Sequence, residues 1–336
     1  MKRSLFFTLG FSLLMVGSVH SQGILKQDAK IVFLGDSITQ SGAQPKGYVT
    51  IVKQQIAESY PDKKIEVIGA GISGNKVPDL QKRLQKDVLD HKPTCVVIYI
   101  GINDVWHSTN GKGTPIATFE SGLKEIIEKI QAVGSQVIVC TPSVIGERVE
   151  KKNPLDKMLG EFSAISRKVA SESDVRLLDL RRKFINYQRS FNPLDREKNI
   201  LTTDGVHLND AGNDFVAGLM LRALGHKEYR AKTANTVMQH IVLFKFKEDV
   251  KAGEISKIET AFAGLANKVD EIIGYEAGTN VSPEELEKGF THAFVVTFRD
   301  AAGRDAYLPH KAHKKFVKML DGKLEDVLVV DFQSVR

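Results

Sequence analysis

The chain has 336 residues, 42% of them hydrophobic and 26% charged, which is enough apolar content for a sizeable core and enough length for two domains. Its formal net charge is +6, but the lysines are dispersed and mixed with glutamates, as at Lys124-Glu125 and Glu128-Lys129. That spacing describes solvated helix faces and excludes the basic stripe of a nucleic-acid binder. The two cysteines stand in no Cys-x-x-Cys or Cys/His spacing, which excludes a cysteine metal site.

Residues 1–21 differ in kind from the rest of the chain. Lys2 and Arg3 precede an apolar stretch at 5–16, and small residues then lead to Val19-His20-Ser21. A positive start, a short apolar run and a small-residue end predict a signal peptide cut after Ser21. Loss of Lys2 and Arg3 would take the formal charge from +6 to +4. The run is interrupted by Gly10 and Ser12 and is too short for an anchor, which needs about 20 apolar residues. The expectation is export to the periplasm or beyond, with no stable membrane anchor.

Short apolar runs then recur at 31–34, 65–69, 94–100, 136–140 and 175–179, rich in Val and Ile and bounded by turn residues. They predict buried parallel strands. Helical patterns lie between them at about 48–60, 78–90, 115–133 and 154–173, with Pro78 and Pro154 where a first turn tolerates proline. A last helix is expected after Asn209-Asp210-Ala211-Gly212. This alternation predicts a doubly wound α/β layer, with its functional groups on the loops at the strand C-terminal ends. Cys95 opens one run and Cys140 closes another, so on neighbouring strands they would be buried free thiols too far apart to bridge.

The polar stretch 226–235 has no sustained period and reads as a linker between domains at 28–225 and 236–336. Beyond it come a strand at 240–246, a helix at 253–270, strands at 273–278 and 293–298, a helix at 301–320 and a strand at 327–332. A β-α-β-β-α-β order predicts a smaller, ferredoxin-like α+β domain.

The chemistry concentrates where the first domain's strands end. Gly35-Asp36-Ser37-Ile38-Thr39 follows the run Lys30-Ile31-Val32-Phe33-Leu34. A serine just past a buried strand is held rigidly with its Oγ open to substrate, as a nucleophile must be. Gly-Asp-Ser alone is also an ordinary turn. Three further segments accompany it: Gly71-Ile72-Ser73-Gly74-Asn75, Gly101-Ile102-Asn103-Asp104 and Asp204-Gly205-Val206-His207. Asp204 and His207, three residues apart, can face one side of a turn, where a carboxylate orients an imidazole. Gly71-x-x-Gly74 is no phosphate cradle, because no Lys-Ser/Thr pair follows it.

In order and content these four segments resemble the blocks of the SGNH (GDSL) hydrolase family, over about residues 28–225. The resemblance implies a serine esterase that needs no metal and no cofactor. It makes Ser37 the nucleophile, His207 the general base and Asp204 the acid that orients it. It assigns the oxyanion hole to the Ser37 N–H, the Gly74 N–H and the Asn103 side-chain amide. Glycine suits its place because backbone must approach substrate closely, and asparagine because its NH₂ donates while uncharged. Asp36 and Asp104 read as support residues, since consecutive residues on a turn rarely address the same atom. Trp106 and His107 either line the substrate pocket or pack on the sheet and its rim.

In the C-terminal domain, His240-Ile241-Val242-Leu243-Phe244-Lys245-Phe246, the stretch from Asp305 to His313, and Val329-Val330-Asp331-Phe332 resemble the stress-responsive A/B-barrel (Dabb) family. That resemblance covers about 100 residues and implies a homodimer formed sheet against sheet. The physical motive is that helices on one face of a small sheet leave its other face needing cover. His240, Tyr307 and His313 fall where some relatives line a small pocket. Structural support, ligand binding and catalysis all stay open for them.

The triad does not choose the substrate, since the SGNH family spans carbohydrate deacetylases, lysophospholipases, thioesterases and aryl esterases. The sequence has no long apolar insertion for a lid or acyl channel, and export favours an extracytoplasmic target. The expectation is an esterase removing small acyl groups, acetyl above all, from carbohydrate through an acyl-enzyme. The alternative is a lysophospholipase or broad short-chain esterase or thioesterase. A non-catalytic binding or assembly protein is the more distant one, because every catalytic position is filled.

Overall fold

The structure is a computed structural model that describes residues 23–149, 152–226 and 236–335. The expected signal peptide, and all of the expected linker except His226, lie outside the described residues. Among the described residues, no helix is long and apolar enough to cross a membrane.

Five short runs become a parallel sheet, the inner three rich in buried Val and Ile: β1 (Lys30–Gly35), β2 (Glu66–Gly71), β3 (Cys95–Tyr99), β4 (Gln136–Cys140) and β5 (Arg176–Leu178). Its order is β2-β1-β3-β4-β5, so β1 has one neighbour that follows it on each side. That reversal opens a crevice at the C-terminal end of β1, the place where doubly wound sheets hold ligands. The helices α1 (Ser37–Gly42), α2 (Tyr48–Ser59), α3 (Val77–Asp87), α4 (Ile102–Trp106), α5 (Ile116–Ala132), α6 (Asp156–Glu172), α7 (Leu180–Phe191) and α8 (Asp210–Ala223) complete the layer. β3 is buried along its whole length, as a strand covered on both faces must be.

Register levels the strand ends. Gly35 pairs with Gly71 on one side and Tyr99 on the other. Ser37, Gly74 and Asn103 follow those three residues within one short turn each, so segments far apart in sequence arrive at one rim. The approach is tight: a Cβ on Gly71 would stand 2.1 Å from the Gln40 N and 2.5 Å from the Thr39 carbonyl carbon. Only glycine lets β2 run this close behind the first turn of α1. Cys95 pairs with Gln136 and Tyr99 with Cys140, which leaves the two free, buried thiols four residues apart along adjacent strands.

The second sheet is antiparallel: β6 (Thr236–Phe246), β7 (Ile272–Thr279), β8 (His292–Phe298) and β9 (Leu324–Val335), in the order β7-β8-β6-β9. With α9 (Ala252–Ala263), α10 (Ala301–Tyr307) and α11 (Lys311–Met319) it makes the expected ferredoxin-like domain. Phe244, Phe262, Phe294, Phe298, Tyr307 and Phe316 fill its core. The single helix expected at 301–320 is two helices. Pro309 cannot continue an α-helix, and His310 starts the second by accepting the Ala312 N–H at 3.1 Å. α7 was not expected at all, because Arg181, Arg182, Lys183 and Arg189 interrupt its buried stripe of Leu180, Phe184 and Phe191.

The two domains share an interface. Phe191 of α7 packs with Val237 of β6 and Ile273 of β7. The Arg196 guanidinium donates to the carbonyls of Ala266, Val269 and Asp270. His226 is buried against the first domain, its Nε2 2.9 Å from the Ser59 Oγ. On the face of the second sheet away from α9, α10 and α11, which α7 covers at its Val237 end, Leu328, Val330 and Phe332 remain 45%, 46% and 44% exposed. Their register neighbours on β6 are Leu243, Ile241 and Gln239.

Candidate active site

The loop after β1 holds Ser37 as the first residue of α1. Asp36 caps that helix, accepting the Ile38 N–H at 2.9 Å. The late loop brings His207 to it: His207 Nε2 stands 2.9 Å from Ser37 Oγ, and His207 Nδ1 stands 2.7 Å from Asp204 Oδ2. The other carboxylate oxygen of Asp204 accepts the backbone N–H groups of Val206 and His207, at 2.9 and 2.8 Å. One short turn therefore orients both the acid and the imidazole. Burial works to raise the Asp204 pKa, but the hydrogen bonds from His207 and Val206 outweigh it and hold the carboxyl below its usual range. A hydroxyl bonded to an imidazole that is itself tied to a carboxylate can give up its proton while attacking a carbonyl.

Gly74 turns with φ +77°, a conformation that favours glycine, and presents backbone at the same rim. Asn103 is buried in the first turn of α4, where its Nδ2 donates to the Asn75 carbonyl at 3.1 Å. That bond uses one of the two amide hydrogens. Asp104 accepts the Val77 N–H at 3.1 Å and so ties α4 to the start of α3. Burial pushes Asp36 up to about 7 and Asp104 up to about 6. Trp106 lies beside the imidazole of His207, ring centroids 6.2 Å apart. His107, half-buried, opens the next turn, its carbonyl accepting the Lys112 N–H at 2.9 Å.

Two residues organise this rim without announcing themselves in the sequence. Arg83, on α3, donates to the carbonyls of Gly35 and Ala70 at 2.8 and 3.0 Å and to the Asn75 side chain at 2.7 Å. It binds together the ends of β1 and β2 and the turn that carries Gly74. Glu147 is fully buried and accepts the N–H groups of Ile200 and Leu201, at 2.8 and 2.6 Å, just before the Asp204 turn. Desolvation raises its pKa against those bonds. A lone charged residue in a helix or loop has no sequence pattern to mark such a role.

His240, Tyr307 and His313 form a separate group in the second domain. Their rings touch in a chain, edge to face for His240 and Tyr307 with centroids 5.9 Å apart, and tilted for Tyr307 and His313 at 4.2 Å. His240 Nδ1 stands 2.6 Å from Asp331 Oδ1, and Arg304 donates to the other oxygen at 2.8 Å. The network ties β6, β9 and α10 together. Burial lowers the His313 pKa and raises that of Tyr307, whose hydroxyl has no hydrogen-bond partner. Among the described residues, no group of three His, Cys, Asp or Glu side chains could hold a metal ion.

Comparison with known proteins bears on the two domains. Residues 33–215 match the GDSL-like Lipase/Acylhydrolase family, and residues 238–334 match the Stress responsive A/B Barrel Domain. An acetylxylan esterase of Geobacillus stearothermophilus is 29% identical over 219 residues, 60% of this chain and 97% of that protein. The crystal structure of an acetyl xylan esterase, AlAXEase, superposes with a TM-score of 0.57 at 42% identity, over 58% of this chain and 98% of its own. The stress-response A/B barrel domain-containing protein HS1 of Arabidopsis thaliana is 32% identical over 96 residues, 29% of this chain and 88% of that protein. With its first sheet and loops matched over more than half its length, the chain belongs to the GDSL-like lipase/acylhydrolase family and is a carboxylic ester hydrolase with an A/B-barrel domain behind it.

Proposed function

We propose that this protein is an exported serine esterase that removes small acyl groups, acetyl above all, from carbohydrate. The observation that carries the reading is the unbroken chain from Ser37 Oγ through His207 to Asp204, at 2.9 and 2.7 Å. Ser37 Oγ attacks the ester carbonyl as its proton passes to His207 Nε2, while Asp204 holds the Nδ1–H tautomer. The Ser37 and Gly74 N–H groups and the free Asn103 amide hydrogen receive the oxyanion. The alcohol leaves with the proton from His207, and water, deprotonated by the same imidazole, then releases the acid from the acyl-enzyme. Trp106 beside the imidazole supports a small acyl pocket, and the likeness to acetylxylan esterases supports acetyl on a sugar.

The test is acetate release from acetylated xylo-oligosaccharides beside hydrolysis of p-nitrophenyl acetate and octanoate by the mature chain. Release from the oligosaccharide and a steep fall from acetate to octanoate are expected. Octanoate turnover equal to acetate turnover would instead favour the lysophospholipase or broad-esterase reading.

We also propose that the second domain makes the protein a homodimer, with Leu328, Val330 and Phe332 covered by the same face of a partner copy. Burying such a face is favourable at about 25 cal/mol per Å² of apolar surface. Sedimentation velocity should give twice the mass of one chain, and Val330→Glu should give a monomer. A wild-type monomer at micromolar concentration would refute the dimer. The His240, Tyr307 and His313 group is proposed as internal support for that sheet.

A further inference from the structure

We infer that Arg299, in the second domain, is a positioning residue for the catalytic imidazole in the first. The inference rests on reading His207 as the base of the esterase. Arg299 follows β8 and is half-buried at the domain interface. Its guanidinium forks: Nη1 donates to the Tyr187 hydroxyl on α7 at 2.7 Å, and Nη2 donates to the Ile200 carbonyl. Asn209 Nδ2 reaches that carbonyl only at 3.4 Å, so the charged donor dominates.

Ile200 is the anchor of the loop that carries the acid and the base. Ile200 and Leu201 are fully buried. Their N–H groups are held by Glu147, and the Leu201 carbonyl accepts the Asn209 N–H at 3.1 Å. Helix α8 sits so close that a Cβ on Gly212 would stand 1.9 Å from the Leu201 oxygen. The next residue, Thr202, bridges to Leu208 and accepts the Gly205 N–H at 3.0 Å, closing the turn around Asp204 and His207. Every backbone polar group at the stem is thus tied, and the tie on the Ile200 carbonyl comes from the other domain. A buried carbonyl that loses a charged donor seeks another by moving, and the stem moves the turn with it. The 2.9 Å contact between His207 and Ser37 has little tolerance for that, since a misplacement of about 1 Å can cost about a hundredfold in rate. The second domain therefore completes the active site of the first without touching substrate.

The test uses the full chain and four proteins: wild type, Arg299→Ala, Arg299→Lys and Arg196→Ala. kcat and KM are measured for p-nitrophenyl acetate, and the His207 Nδ1–H resonance is followed by proton NMR. Arg299→Ala should lower kcat about tenfold or more with KM within about twofold, and added guanidinium should restore part of the loss. Arg299→Lys keeps the cation but cannot fork to both acceptors, and should fall between. Arg196→Ala loosens domain docking without touching Ile200 and should keep kcat within about twofold. Unchanged kcat in Arg299→Ala, or an equal loss in Arg196→Ala, would overturn the inference. If wild type shows no Ser37-dependent turnover, the esterase reading fails on its own. The Nδ1–H resonance then decides: a shift in Arg299→Ala sustains the positioning role, and an unmoved resonance removes it.

Discussion

Ser37→Ala should abolish ester hydrolysis, with kcat falling about a million-fold and KM nearly unchanged. The Oγ is the atom that forms the acyl bond in the proposed mechanism, and alanine leaves the oxyanion donors and the pocket in place. His207→Ala should cost about as much, and the double variant no more than either, because a nucleophile without its base and a base without its nucleophile fail at the same step. Asp204→Ala should lose less, about 10⁴-fold, since His207 Nε2 would still face Ser37 in the fraction of molecules with the right tautomer and rotamer. A loss below tenfold for Ser37→Ala, measured on p-nitrophenyl acetate, would remove the serine mechanism.

Asp36→Asn should stabilise the protein, and more so as the pH rises. Asp36 is 2% exposed, and burial pushes its pKa up to about 7; the Ile38 N–H opposes that shift and the Asp104 carboxylate adds to it. In the unfolded chain the group titrates near ~3.9. Between those values the folded state binds the proton and the unfolded state does not, so stability falls as pH increases. The stabilisation from the neutral carboxyl is complete below about pH 4 and is lost by about pH 7, a cost of roughly 4 kcal/mol. Asparagine keeps the Oδ1 acceptor for Ile38 and carries no charge to desolvate. The Tm advantage of Asp36→Asn over wild type should therefore grow by several degrees from pH 5 to pH 8. An advantage equal at both pH values would show that Asp36 does not titrate in this range.

The inner strands β1, β3 and β4 were legible because each is buried on both faces and needs an unbroken apolar run, and the more exposed edge strands β2 and β5 kept enough Val, Ile and Leu to be read with them. The segments ending in Ser37, Gly74 and Asn103 were legible for a related reason: they sit where those runs stop. Register converts that local signal into proximity, since Gly35, Gly71 and Tyr99 stand level. Arg83 and Glu147 were not legible. Their partners are backbone carbonyls and N–H groups from distant segments, and backbone leaves no mark in a sequence. α7 was hidden by Arg182, Lys183 and Arg189 on its solvent side and by Arg181, a charged residue buried against Asp156. The break at Pro309 was readable from the fixed φ and missing N–H of proline, and the periodic Lys311–Met319 stretch masked it.

The buried cysteines give the first domain an internal clock. Cys95 and Cys140 are essentially inaccessible, and burial pushes Cys95 up to about 12, so neither offers a thiolate to a reagent while the sheet is closed. They lie on β3 and β4, in the middle of the sheet, where local fraying does not reach. Alkylation of this chain would count whole openings of the hydrolase domain and ignore motions of the second, which has no cysteine.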